Sequence, residues 1–284
     1  MRISYGFLGL LVVWVIAAQG CMFFRMSDSD AANEFKASNI NFKTGNIAVG
    51  NRNMHYAMSG VDTMPMLVFI HGSPGSWDAF KIYMMDSMLL QKYCMVSIDR
   101  PGFGYSDFGK ALNMKEQTTL LNTALQKIHN GKPVILAGHS LGGPAIVKMA
   151  ATIKDVQIKN VVLIAGSVSP EAEAPERWRT VFDYSPLRYL LPGAFRPSNT
   201  EIVYFKKDVY ELQDNFKAIH CPVLILHGDK DDFVPPANAT YAKEQLENSP
   251  SVRIVWYKDE RHFIPWTRFK EIRDELLQLS TSKL

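Results

Sequence analysis

Short, nearly continuous apolar runs recur along most of the chain and are separated by segments of helical length. The runs comprise residues 66–70, 94–98, 133–137, 161–165, 223–226 and 253–257. Apolar runs of this length are typical of β-strands that are covered on both faces, as in parallel sheets. Strands that alternate with helices favour a mostly parallel sheet with right-handed crossovers. The pattern therefore predicts an α/β fold with helices on both faces of the sheet.

Helices are predicted in most of the intervals between these runs. The predicted helices comprise residues 113–129, 141–151, 237–246 and 266–279. Before the first run, residues 46–58 contain two short alternating segments that flank Gly50-Asn51, a pair that suits positive φ angles. This part of the chain is predicted to form an antiparallel hairpin.

One interval is too long for a simple crossover. About 50 residues lie between Ser169 and Ile219, whereas a crossover needs only about a dozen. They include aromatic and leucine side chains among prolines and charges. We expect a small helical cap at about residues 170–219, inserted between two strands of the sheet. Trp178 and Phe182 are interpreted as lining an apolar substrate pocket beneath it.

The N-terminal segment differs from the rest of the chain. Residues 6–18 are apolar and carry no charge, and Arg2 precedes them. A basic start followed by an apolar stretch of this length is typical of a secretory signal, whereas a membrane-spanning helix needs about 20 apolar residues. Residues 1–20 are therefore predicted to be a signal peptide or an uncleaved membrane anchor. Residues 21–42 are predicted to be a polar tether, and residues 43–284 the folded domain.

Cys21 follows Ala18-Gln19-Gly20. This arrangement resembles the lipobox of bacterial lipoproteins, in which the cysteine becomes the lipidated first residue of the mature chain. The resemblance implies a protein that is exported and held at a membrane of the bacterial cell envelope, through a lipidated Cys21 or through an uncleaved N-terminal helix. Cys94 and Cys221 lie in or beside apolar runs and are expected to be inert core thiols.

The composition limits the possible functions. With 284 residues, of which 47% are apolar and 21% charged, the chain can bury a full-sized core without disulfides or a metal ion. The formal net charge is +3, and basic and acidic residues are scattered along the chain. No stripe of basic residues is available to neutralise a row of phosphates, so a nucleic-acid partner is not expected.

Gly138-His-Ser-Leu-Gly142 carries the clearest chemical signal. It directly follows the apolar run at 133–137 and begins a predicted helix. A sharp strand-to-helix turn exposes a serine hydroxyl above the sheet, and glycines two residues before and after the serine leave room for the strained geometry. Ser140 is therefore the predicted nucleophile. The N–H of Leu141, at the positive end of the helix dipole, is a predicted donor to the oxyanion of an acyl-transfer intermediate.

Residues 138–142 and the two segments described next resemble motifs of the α/β-hydrolase fold family. The resemblance covers the chain from about residue 45 to its end. His71-Gly-Ser-Pro-Gly75 resembles the family's HG-x-P-G oxyanion loop, and this implies the N–H of Ser73 as the second oxyanion donor. His71 is interpreted as a pocket residue. The segment 99–107 is similar to the family's D-x-x-G-x-G-x-S loop, which shapes the pocket wall.

The resemblance also implies the base and the acid. In this family the chain order is Ser, then Asp or Glu, then His. Only His262 among the seven histidines follows the candidate acid, and it lies between the last strand and the last helix, where the family places its base. The residue before this histidine is usually Gly in the family and is Arg261 here. The segment 227–235 is similar to the family's G-x-x-D motif, which implies Asp231 as the acid.

The implied function is that of a serine hydrolase, which cleaves a carboxylic ester or a related acyl bond of a small-molecule substrate through an acyl-enzyme on Ser140. No cofactor and no metal ion are implied. A serine at the elbow is unlike the epoxide-hydrolase and dehalogenase branches of the fold, which carry Asp there. Two alternatives stay open. One is a peptidase similar to prolyl iminopeptidases, whose HGGPG resembles residues 71–75, and the other is a membrane-tethered binding protein that has lost catalysis.

Overall fold

The computed structural model describes residues 2–172, 176–184 and 186–281. Residues 1, 173–175, 185 and 282–284 lie outside the described residues. They belong to the predicted N-terminal segment, to the predicted cap and to the end of the predicted domain.

One sheet contains all the strands of the described chain. They are β1 (Phe42–Val49), β2 (Arg52–Ser59), β3 (Met66–Ile70), β4 (Cys94–Ile98), β5 (Val134–His139), β6 (Ile158–Ile164), β7 (Val223–Gly228) and β8 (Val252–Tyr257). Their order across the sheet is β1-β2-β4-β3-β5-β6-β7-β8. β2 pairs antiparallel with β1 and with β4, and the other pairs are parallel. The predicted mostly parallel sheet is thus confirmed, with the predicted hairpin as β1 and β2.

Helices connect the strands. In the described chain they are α1 (Arg2–Gln19), α2 (Asp28–Ala37), α3 (Lys81–Met84), α4 (Ser87–Leu90), α5 (Met114–Ile128), α6 (Gly142–Thr152), α7 (Trp178–Asp183), α8 (Phe195–Tyr210), α9 (Gln213–Phe216), α10 (Ala237–Gln245), α11 (Ile264–Thr267) and α12 (Phe269–Thr281). Two 3₁₀ turns cover Trp77–Phe80 and Leu187–Leu190. The predicted last helix is divided into α11 and α12 at Arg268, whose φ and ψ are −118° and 34°.

The sheet is covered on both faces because its central strands are apolar at every position. Side chains alternate between the two faces of a strand. In β3, Met66, Val68 and Ile70 belong to one core cluster, and Leu67 and Phe69 belong to the other. Side chains of α5 and α6 join the first cluster, and those of α12 join the second. Because parallel strands run in the same direction, their carboxyl ends meet at one edge of the sheet, where ligands bind in open α/β folds.

The predicted polar tether is largely helical in the structure. α2 begins after Ser27, whose hydroxyl accepts the N–H of Asp30 at 3.1 Å. Its two buried side chains, Ala31 and Phe35, join the second core cluster. The ring of Phe35 stacks on that of Phe42 with the centroids 3.9 Å apart. The helix buries only a narrow apolar face and is polar elsewhere, which is why its composition indicated a tether.

The cap lies between β6 and β7, as predicted, and contains α7, α8, α9 and the second 3₁₀ turn. The C-terminal half of α8 joins the main body, because Phe205 and Val209 are buried in the first core cluster. The carboxylate of Asp208 accepts the N–H of Met114, at the start of α5, at 2.9 Å. Burial raises the pKa of Asp208 to about 6.

The N-terminal helix α1 packs against this cap. Trp14 donates its indole N–H to the carbonyl oxygen of Leu190 at 3.0 Å, and the N–H of Gly193 donates to Ala18 at 3.0 Å. Ala18 is fully buried, whereas most of the other apolar side chains of α1 are exposed. No helix in the described chain is both long enough and apolar enough to cross a membrane.

Candidate active site

Ser140 lies in a strained turn between β5 and α6. Its φ is 53°, in the left-handed region that non-glycine residues rarely adopt. A methyl group on Gly138 would overlap the carbonyl oxygen of Gly142, and one on Gly142 would lie 2.8 Å from the carbonyl oxygen of His71. Both positions therefore require glycine. The N–H of Ser140 donates to Ile164 of β6 at 3.1 Å, so the turn is tied to the sheet.

Asp231 and His262 form a buried pair at the ends of β7 and β8. Nδ1 of His262 lies 2.8 Å from Oδ2 of Asp231. The other carboxylate oxygen, Oδ1, accepts the N–H groups of Phe233 at 3.0 Å and Val234 at 2.8 Å. Burial by itself would raise the pKa of Asp231, but the hydrogen bond and charge of His262 bring it below its ordinary value. An ionised carboxylate in this position selects the tautomer of His262 that carries a proton on Nδ1.

His139 connects the histidine loop to the elbow. It precedes Ser140 in the chain, its ring centroid lies 4.8 Å from that of His262, and its Nε2 donates to the carbonyl oxygen of His262 at 3.2 Å. Burial and the nearby His262 lower the pKa of His139 to about 3, so the ring is neutral. In the described chain, Nε2 of His262 has no protein partner. Hydrogen bonds of this kind often form only once substrate is bound.

Two backbone N–H groups are the candidate oxyanion donors. One belongs to Leu141, directly before α6. The other belongs to Ser73, after Gly72, on which an added methyl group would lie 2.9 Å from the Cβ of Ser140. Neither N–H donates to a protein acceptor within the described residues. Within the described residues, both candidate donors thus have unused hydrogens. Leu141 directly follows Ser140, and Gly72, the residue before Ser73, packs against Ser140.

His71 does not line a pocket, contrary to the interpretation of the sequence. It is fully buried, its Nδ1 donates to the carbonyl oxygen of Gly72 at 2.7 Å, and its Nε2 accepts the N–H of Arg100 at 2.9 Å. Burial, together with the charge of Arg100, lowers the pKa of His71 well below its ordinary value. Both ring nitrogens are therefore occupied, and the side chain stabilises its own loop instead of contacting a ligand.

The other predicted residues are Trp178, Phe182 and Cys21. Trp178 is 48% exposed, and its ring packs edge-on against Phe182 with the centroids 5.9 Å apart. Arg179 lies 4.6 Å from the centroid of the Trp178 ring. Within the described residues, neither aromatic ring packs on the ring of the candidate base. Cys21, the predicted lipidation site, is an exposed free thiol after α1.

An aromatic cluster beside the base was missed by sequence reasoning. The rings of Phe233 and Phe263 each lie 5.7 Å from that of His262, and Trp266 lies 6.0 Å from Phe263. The three side chains are 69%, 52% and 41% exposed, respectively. Phe233 and Phe263 are chain neighbours of Asp231 and His262, and this adjacency was the available signal. The cluster offers an apolar surface beside the candidate base.

Comparisons with known proteins identify the fold. Residues 65–203 match the model of the alpha/beta hydrolase fold family. This range includes Ser140 and both candidate oxyanion donors. Epoxide hydrolase 1 of Caenorhabditis elegans is 29% identical over 93 residues, which are 32% of this chain and 22% of that protein. The chain spans less than half the length of each of four curated relatives, between 22% and 48%.

Solved structures show the same fold over most of the chain. A serine hydrolase from the bacterium Cycloclasticus zankles has a TM-score of 0.66 at 16% identity, over 84% of this chain and 97% of that chain. A bacterial membrane phospholipase A has a TM-score of 0.62 at 20% identity, over 97% of both chains. At these identities the likeness concerns the fold.

Proposed function

We propose that this chain, which has the α/β-hydrolase fold, is a serine hydrolase that cleaves a carboxylic ester or a related acyl bond. The observation that carries the proposal is the buried Asp231–His262 pair, with 2.8 Å between Oδ2 and Nδ1. His262 also contacts His139, which directly precedes the serine in the strained turn. A strained backbone persists only where the surrounding structure enforces it, and such strain is concentrated at functional sites. A protein that only binds a ligand has no need of this arrangement.

The proposed reaction has two steps. Oγ of Ser140 attacks the carbonyl carbon of the substrate while Nε2 of His262 takes the hydroxyl proton, and the imidazolium then protonates the leaving alcohol. A water molecule, deprotonated by His262, next attacks the acyl-enzyme, and the proton returns to Ser140 as the carboxylic acid leaves. In both steps Asp231 stabilises the imidazolium. The N–H groups of Ser73 and Leu141 donate to the oxyanion, each contributing about 2.7–4 kcal/mol.

The chemical class follows from the residue at the elbow. Two curated relatives carry the name epoxide hydrolase, and the epoxide-hydrolase branch of the fold carries Asp at this position. Ser140 is a hydroxyl nucleophile that needs a base to remove its proton, and the product of its attack on a carbonyl is an acyl-enzyme. These features support ester hydrolysis over epoxide opening.

A fluorophosphonate probe tests the proposal. We expect the probe to label wild-type protein at Ser140, identified by peptide mass, and we expect p-nitrophenyl esters to be hydrolysed. Ser140→Ala should lose labelling and lower kcat by about 10⁶-fold, whereas Ser29→Ala, at an exposed serine of α2, should leave both unchanged. Retention of a tenth of the esterase activity by Ser140→Ala would refute the assignment.

The same assay separates the alternatives. A peptidase similar to prolyl iminopeptidases would release the N-terminal residue of prolyl peptides with a higher kcat/KM than any ester. A binding protein without catalysis would react with neither the probe nor the esters. A series of p-nitrophenyl esters of increasing acyl length would then define the substrate class.

We also propose that the N-terminal segment holds the protein at a membrane of the bacterial cell envelope. The apolar side chains of α1 that are between 36% and 71% exposed are Phe7, Leu8, Leu10, Leu11, Val12, Val13, Trp14 and Ile16. Monomeric soluble proteins rarely expose large contiguous apolar patches. Near the C-terminal end of α1, Arg196 donates a hydrogen bond to the side-chain oxygen of Gln19 at 2.5 Å. Burial lowers the pKa of Arg196, and the charge of the nearby Arg188 lowers it further. Two neighbouring guanidinium groups suit anionic lipid headgroups.

Vesicle binding and intact mass test this second proposal. The full chain should sediment with phosphatidylglycerol vesicles, and Leu10→Asp with Ile16→Asp should abolish sedimentation. Val61→Asp, at an exposed position outside α1, serves as the control. In cells, loss of residues 1–20 with acyl mass on Cys21 would support the lipoprotein form, and an intact N-terminus would support the helix. A soluble, cleaved and unacylated product would refute membrane attachment.

A further inference from the structure

A buried ion pair joins the cap to the loop that follows β4. Arg100 is fully buried, and Glu201 of α8 is 3% exposed. The pair is bidentate: Nη1 of Arg100 lies 2.8 Å from Oε2 of Glu201, and Nη2 lies 2.9 Å from Oε1. Gln117 of α5 completes the cluster. Its Oε1 accepts a hydrogen bond from Nη1 of Arg100 at 3.1 Å, and its Nε2 donates one to Oε2 of Glu201 at 3.2 Å.

The same guanidinium reaches the candidate oxyanion loop. Nη2 of Arg100 donates to the carbonyl oxygen of Gly72 at 3.0 Å. That oxygen also accepts from Nδ1 of His71 at 2.7 Å. The carbonyl of Gly72 and the N–H of Ser73 belong to one planar peptide unit. Two donors on the oxygen therefore determine the direction of the N–H at the other end of the unit. A charged donor on the oxygen also polarises the unit and strengthens the N–H as a donor.

We propose that Glu201 and Arg100 are positioning residues for the oxyanion hole, and that through them the cap controls the direction and the strength of the Ser73 N–H. This inference rests on the proposed function, because it assigns a role to that N–H in the acyl-transfer step. Glu201 orients Arg100, Arg100 holds the Gly72 carbonyl, and the peptide unit presents its N–H to the oxyanion.

Stability alone does not account for this cluster. Replacing a buried ion pair by apolar side chains of similar volume is often neutral or stabilising, because the charges no longer have to be desolvated. The bidentate geometry supplies direction, which an apolar pair would not. The hydrogen bond to Nε2 of His71 comes from the backbone N–H of Arg100 and does not involve its side chain. A substitution of Arg100 therefore keeps this donor, and the contribution of the side chain can be tested separately.

The test is the double substitution Arg100→Met with Glu201→Leu, which removes the pair without leaving one charge buried and unpaired. We expect a folded protein whose kcat for p-nitrophenyl esters is about 10- to 100-fold lower, somewhat less than the loss of a whole oxyanion donor. The inhibition constant of a trifluoromethyl ketone, whose adduct with Ser140 carries the oxyanion, should rise by the same factor. KM and the pH profile of kcat should stay as in the wild type.

The matched control is Arg253→Met with Glu275→Leu, which removes a bidentate pair between β8 and α12 at the protein surface. It should leave kcat and inhibition unchanged. A folded Arg100→Met/Glu201→Leu variant with wild-type kcat would overturn the inference. So would a loss of kcat without weaker inhibition, or one accompanied by a shifted pH profile, because either points to a general disturbance of the site.

A different result would mark the failure of the proposed function itself. If wild-type protein neither reacts with fluorophosphonate nor hydrolyses esters, the acyl-transfer assignment fails. The positioning role is then decided by hydrogen exchange of the Ser73 amide, which should become slower in the double variant because, without the charged donor on the Gly72 carbonyl oxygen, the N–H is less acidic. Unchanged exchange would overturn the inference independently of any activity.

Discussion

Asp231→Asn is expected to stop catalysis by changing the tautomer of His262. The two oxygens of Asp231 have different partners: Oδ1 accepts the N–H groups of Phe233 and Val234 at 3.0 and 2.8 Å, and Oδ2 faces Nδ1 of His262 at 2.8 Å. An asparagine side chain has one oxygen and one NH₂ group. If the oxygen keeps the two backbone donors, the NH₂ group faces Nδ1, which must then accept. The imidazole proton moves to Nε2, and the base can no longer take the proton of Ser140.

The magnitude follows from the same contacts. In the opposite orientation, the amide would present its NH₂ group to the two backbone N–H groups and leave both unpaired, at a cost of about 1–3 kcal/mol each. The two groups together cost about 2–6 kcal/mol, so at most about 3% of the molecules would retain the productive orientation. Loss of the correct tautomer lowers kcat by about 10⁴-fold in a Ser-His-Asp triad, which corresponds to about 5.4 kcal/mol.

The assay is kcat for a p-nitrophenyl ester, with circular dichroism to show that the variant is folded. Asp232→Asn is the matched control, because its exposed carboxylate lies 3.2 Å from NH1 of Arg261 and exposed pairs contribute at most about 1 kcal/mol. Its kcat should be close to that of the wild type. Asp231→Asn with more than a tenth of the wild-type kcat would refute the reasoning, as would a larger loss in the control.

Four further substitutions should act at other points. Gly142→Ala should abolish esterase activity, because the methyl group would overlap the carbonyl oxygen of Ile70. Asp208→Asn should raise the melting temperature at pH 8 but not near pH 4 in calorimetry. Burial raises the pKa of Asp208 to about 6, so the wild type loses stability as the pH rises through that value. Trp178→Ala or Phe182→Ala should change the preferred acyl length in an ester series without slowing fluorophosphonate labelling.

Each of these expectations has a contrary result. An active Gly142→Ala enzyme would show that the elbow can relax. A melting difference for Asp208→Asn that is the same at both pH values would separate its effect from titration. An unchanged preference for acyl length in both cap variants would make their aromatic rings packing residues.

The sequence by itself determined the strands, the turn that holds the nucleophile and the order of the candidate catalytic residues. A run such as residues 66–70 is apolar at every position because both faces of β3 are buried, and this is a local property that the sequence records. The elbow is local as well. Ser140 has a φ of 53°, and the carbonyl oxygen of Gly142 leaves no space for a Cβ on Gly138. The space at Gly142 itself is closed by the distant residues Ile70 and His71, which the sequence does not indicate.

The tertiary structure decided the features that join distant parts of the chain. Arg100 and Glu201 are 101 residues apart, and in the sequence they are ordinary charged residues. His71 has the residue type and the position of a pocket residue, but its burial and both of its nitrogen partners depend on the packing of neighbouring loops. In the sequence, Phe35 is one apolar residue in a polar stretch. In the structure, its ring stacks on that of Phe42. Periodicity reports which face of a local element is buried, whereas the partner of a buried polar or aromatic group depends on which loops the strand order brings together.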